Sequence, residues 1–101
     1  MTLPERIDEI RRLASWRCGE LMEQAAEAGE AGDPLGEGRL RGAAASALAA
    51  GVRTAAAIYE SQADPGGSIA YAIVADMHTA EDLVASAWRV ALPVMPAAGT
   101  A

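Results

Sequence analysis

Ala43-Ala44-Ala45-Ser46-Ala47-Leu48-Ala49-Ala50 is the stretch on which the fold turns. It holds neither a charge nor a helix breaker, and alanine has the highest helix propensity of any residue. A helix built from it is apolar all round, and such a helix is buried on several sides. Through it run Ala43, Ala47, Gly51 and Ala55, a ladder of small residues at every fourth position. Small side chains let a second helix backbone approach closely. Arg41 and Arg53 bracket the ladder, and the uncharged run between them is too short to span a bilayer. A tight helix–helix contact in water is therefore expected.

Breakers lie on both sides of this helix. Gly32-Asp33-Pro34-Leu35-Gly36-Glu37-Gly38 reads as a loop, and Asp64-Pro65-Gly66-Gly67-Ser68 as a second break. The central helix is thus predicted from about Gly38 to Ala63. Before it, Thr2-Leu3-Pro4-Glu5 matches a capping box. Leu3, Ile7, Ile10, Ala14, Cys18, Leu21, Ala25 and Ala28 then follow at spacings of three or four, one face of a first helix ending near Gly29 to Gly32. After the second break, Ile69, Ile73, Met77, Ala80, Val84, Ala87 and Ala91 predict a third helix from Ser68 to Leu92. Thr79-Ala80-Glu81-Asp82 also resembles a helix start. The third helix is therefore expected to be continuous, with a kink or a split near His78 as the alternative.

The expected fold is all-α: three long antiparallel helices in one helical-bundle domain over 1–92, with a flexible tail over 93–101 after Pro93. No stretch alternates as a strand would, and no repeat has a solenoid period. At 101 residues, one domain is the default.

The formal net charge is −6. An acidic chain is a poor ligand for a nucleic-acid backbone, which needs clustered cations to displace its counterions, and for an anionic membrane surface. All eight basic residues are Arg, and Lys, Asn and Phe are absent. Those three use A/T-rich codons, whereas Ala, Gly and Arg use G/C-rich ones, so a high-GC bacterium or its phage is the inferred source. Cys18 is alone, so no internal disulfide is available. Charges from Glu5 to Arg12 stand where the apolar core of a signal peptide would sit. A soluble, cytoplasmic protein is expected.

Burying a Leu or Ile contributes about 1.5–3 kcal/mol, and alanine far less. Large side chains are few here, and the central helix has more apolar circumference than two neighbours can cover. Both facts predict that oligomerisation completes the bundle. Ala43, Ala47, Gly51, Ala55, Ile69, Ile73 and Trp88 are the candidate interface.

Catalytic constellations are weaker. His78 is the sole histidine, with Glu81 and Asp82 three and four residues on. Glu20, Glu23, Glu27 and Glu30 line one helical edge, and carboxylates on facing helices are how bundle enzymes hold metals. Glu20-x-x-Glu23 resembles the first half of the motif of all-helical nucleotide pyrophosphatases of the MazG type. The second half, Glu-x-x-Asp on another helix, is missing. As a metal set, Glu20, Glu23, Glu27, His78, Glu81 and Asp82 form the alternative to a solvated surface. Cys18 falls on the apolar face of the first helix and reads as a buried structural thiol.

Ala55-Ala56-Ala57-Ile58-Tyr59-Glu60-Ser61-Gln62-Ala63-Asp64 resembles the Ala-rich helix, with a Tyr and a downstream acid, of small type VII secretion substrates of actinobacteria. That resemblance implies a helical hairpin that pairs with a partner. The family places the acid four residues after Tyr and carries a Trp-x-Gly turn. Here Asp64 is five after Tyr59, and Trp16 precedes Arg17-Cys18-Gly19.

The expected function is a non-enzymatic helical interaction module that pairs with itself and binds or regulates another helical protein, as an accessory or phage-encoded factor would. No catalytic residue and no cofactor is assigned. A metal-dependent helical hydrolase on the Glu20–Glu27 edge and a type VII secretion-like substrate are the alternatives.

Overall fold

The computed structural model describes residues 2–60 and 66–92. Among them are three α-helices and no strand: α1 over Leu3–Glu30, α2 over Pro34–Tyr59 and α3 over Ser68–Ala91. The expected end of the central helix beyond Glu60 and the expected tail over 93–101 lie outside the described residues.

The start of α1 is the expected capping box. The Glu5 amide donates to the Thr2 hydroxyl at 3.3 Å, and the Thr2 amide donates to the Glu5 carboxylate at 3.0 Å. Its apolar stripe turns inward, burying Ile7, Cys18, Leu21 and Ala25, while Leu3 at the end of the stripe stays exposed.

The expected loop from Gly32 to Gly38 is a correction. Only Ala31, Gly32 and Asp33 separate α1 from α2. Gly32 takes the left-handed conformation, at φ 77°. The Asp33 amide then donates to the Ala28 carbonyl at 2.9 Å and the Gly32 amide to the Gly29 carbonyl at 3.1 Å. This is the Schellman pairing that closes a helix on glycine. Asp33 at once caps α2, its carboxylate accepting from the Gly36 amide at 3.0 Å. Pro34 follows in the first helical position, where a missing N–H costs nothing. The Asp-Pro start thus outweighs the poor helix propensity of Gly36 and Gly38.

The alternative of a split at His78 is also corrected, because α3 is a single element through that point. Thr79 is not a cap. Its hydroxyl donates to the Ala75 carbonyl one turn back at 3.0 Å, as hydroxyls do inside helices.

Two apolar clusters join the helices. One brings Ile7 of α1, Val52 and Ala55 of α2 and Ile73 of α3 together. The other joins Cys18 and Leu21 to Ala44, Leu48 and Ala80. Gly51 lies directly against Ala14, and a β-carbon there would clash with the Ala14 methyl. Polar links reinforce the packing. Arg11 of α1 pairs with Asp76 of α3 at 2.7 Å, and Arg41 of α2 holds both Glu37 and, on α3, the Ser86 hydroxyl. Helix α2 is central, packing along both α1 and α3. The molecule measures 56 × 29 × 16 Å. Because α1 and α3 each pack chiefly on α2, the helices form a shallow layer.

Candidate interaction groove

Two residue sets divide the surface of α3. Ile73, Asp76, Ala80 and Ser86 turn toward α1 and α2. Met77, Val84 and Trp88 border the α2–α3 crevice and are exposed at 44%, 46% and 54%. Large apolar side chains that stay half in water are the informative kind of exposure when they are contiguous.

Beside them runs a groove in two hollows that share Val84. One, of about 390 Å³, is lined by Ala45, Ala49 and Val52 of α2 and by Met77 and Ala80 of α3. The other, of about 280 Å³, lies between Gly38 and Gly42 of α2 and Ala87 and Trp88 of α3. The floor is buried at Gly38, Ala45, Val52 and Ala80. The α2 side of the groove is therefore made of small residues and the α3 side of bulky ones.

Charge appears only at the rim of the larger hollow, where Arg53 and Glu81 stand. Both are exposed. Among the described residues Arg53 enters no ion pair, while Glu81 lies 3.5 Å from His78 Nδ1.

The floor was missed by sequence reasoning for a geometric reason. Gly38, Gly42, Ala45, Ala49 and Val52 alternate steps of four and three, which hold one face of a helix with 3.6 residues per turn. The ladder Ala43, Ala47, Gly51 and Ala55 steps by four throughout and so rotates by about 40° at each step. It begins exposed at Ala43 and ends fully buried at Ala55. Ala47 packs on the Cys18–Leu48 cluster, Gly51 meets Ala14 of α1, and Ile69 and Ile73 belong to the Ile7 cluster. Of the seven candidate interface residues, Trp88 lines the groove.

The other candidates are placed elsewhere. Glu20 pairs with Arg17 at 3.2 Å on the surface of α1. Glu23 and Glu27 are exposed, as are His78 and Asp82. Among the described residues no three His, Cys, Asp or Glu side chains gather as a metal site requires. Cys18 is buried, and that burial raises its thiol pKa above the ordinary value by penalising the thiolate. On α1, Glu9 accepts from Arg12 at 2.6 Å, and this hydrogen bond raises the guanidinium pKa further. Leu13 and Trp16 are exposed on α1. No described helix is long and apolar enough to cross a membrane. Comparison with protein-family models, with curated proteins and with solved structures finds no match to this chain.

Proposed function

We propose that this chain is a non-enzymatic helical interaction module, an antiparallel three-helix unit whose α2–α3 groove receives a helix from another protein chain. The groove itself supports the reading: a floor of small residues from Gly38 to Ala49 beside Met77, Val84 and Trp88, half in water. Amphipathic helices bind in this way, laying an apolar face into an apolar trough. Helix α1 already packs along α2 and reaches α3 through Ile7, Leu21 and the Arg11–Asp76 pair. A docked helix would do the same on the open face. Tryptophan is enriched where interfaces concentrate their energy, and Trp88 sits at one end of the trough. The setting is that of an accessory or phage-encoded factor in the cytoplasm of a high-GC bacterium.

A photo-crosslinking amino acid at Val84 tests the reading, with the same group at exposed Glu23 as control. Adducts are expected from Val84 and not from Glu23, and their attachment points should map to the apolar face of a helix. Equal yields from both positions, or attachment points scattered over loops, would overturn the proposal.

A further inference from the structure

We infer that the occupant of the α2–α3 groove is a second copy of this chain, related by a two-fold axis that runs along the groove; the inference rests on reading the groove as an interaction surface. A two-fold interface must complement itself, since one patch serves as both knob and hole. The groove contains both halves. With the axis along the groove, each level of α2 in one copy faces the same level of α3 in the other. Trp88 then stands over Gly38 and Gly42, residues that line the same hollow within one chain. Met77 and Val84 stand over the small residues of the larger hollow.

Charge points the same way. Arg53 and Glu81 share the rim of the larger hollow from opposite helices. The half turn therefore brings Arg53 of each copy toward Glu81 of the other, giving two reciprocal pairs. Arg53, which has no ion-pair partner among the described residues, would gain one. The product is a four-helix bundle of α2 and α3 from both copies, with α1 outside on each side. It converts a shallow layer into the two packed layers from which stable domains are built.

Sedimentation equilibrium of the purified chain tests the inference, with circular dichroism confirming that each variant keeps its helices. The chain is expected to dimerise. Val84→Glu should leave a helical monomer, because it puts a charge at the centre of the interface. Arg53→Glu and Glu81→Arg are surface changes that do not threaten the fold of the monomer. Each should weaken the dimer about tenfold through like-charge contacts, and the double variant should recover most of that loss. A chain monomeric at every concentration would overturn the second copy while leaving the groove reading intact if Val84 still crosslinks to the helix of another protein. A dimer indifferent to Val84→Glu would overturn the groove as its interface. Charge changes that add with no recovery in the double variant would overturn the two-fold pairing.

Discussion

Arg11 and Asp76 meet in a two-pronged pair that ties α1 to α3, with Nε donating to Oδ2 at 2.7 Å and Nη2 to Oδ1 at 3.2 Å. Both side chains are mostly shielded, unlike the surface pair of Arg12 with Glu9. Paired prongs fix direction as well as distance, and partial burial limits screening. Asp76→Ala should therefore lower stability by about 1–2 kcal/mol, while Glu9→Ala should leave the urea midpoint unchanged. Arg11→Lys should behave like a loss, since an ammonium cannot fork. Measurements belong at one fixed protein concentration, because self-association adds to apparent stability. Equal midpoints for Asp76→Ala and Glu9→Ala would show that the pair contributes nothing.

Gly51 is where α2 comes closest to α1. Gly51→Ala gains up to about 1 kcal/mol in helix propensity but drives a methyl into that of Ala14, and overpacking costs about 1–3 kcal/mol. The Ala14 methyl has no rotamer to escape into, so a net loss is expected. Adding Ala14→Gly should recover part of it. Gly19 in α1 has nothing within 4 Å of its would-be β-carbon, so Gly19→Ala should stabilise. A stabilising Gly51→Ala would mean that the two helices part easily.

Asp33 closes one helix's exit and opens the next. Asp33→Ala removes the carboxylate that accepts from the Gly36 amide and should cost about 1 kcal/mol. Gly32→Ala forces a side chain into the left-handed region and should cost about 1–2 kcal/mol. Helicity near Leu35, followed by amide exchange, should fall in Asp33→Ala and not in Thr2→Ala, which uncaps α1.

Cys18 gives a pH dependence whose sign follows from its burial. The raised thiol pKa means that the folded state keeps its proton after the unfolded chain has lost one. The stability this contributes is complete below the unfolded thiol's pKa, about 8.5, and falls as pH rises toward the folded value. Cys18→Ala should flatten that decline. A thiol reagent should label the native protein only as fast as it opens, and rapid labelling would show that Cys18 is accessible.

Much of the fold was legible because it is local. The Thr2–Glu5 capping box, the three- and four-residue spacing from Ile7 to Ala25 and the start of α3 at Ser68 each depend on neighbours in the chain. The Asp33-Pro34 start of α2 was also in view, yet the surrounding glycines disguised it. Thr79 misled for the opposite reason, because a hydroxyl that caps a helix can equally bond back inside one.

The sequence by itself determined that the chain is helical, where α1 and α3 begin, and which residues of α1 turn inward, since periodicity and capping act within a few residues. Only the tertiary structure decided what each face of α2 meets. An alanine-rich helix presents small residues in every direction, so its sequence cannot say which stripe receives α1 and which lies open. That choice was made by packing across the chain: Ala14 against Gly51, Arg11 against Asp76, and Arg41 against Ser86. What those contacts left uncovered is the groove between Gly38 and Trp88.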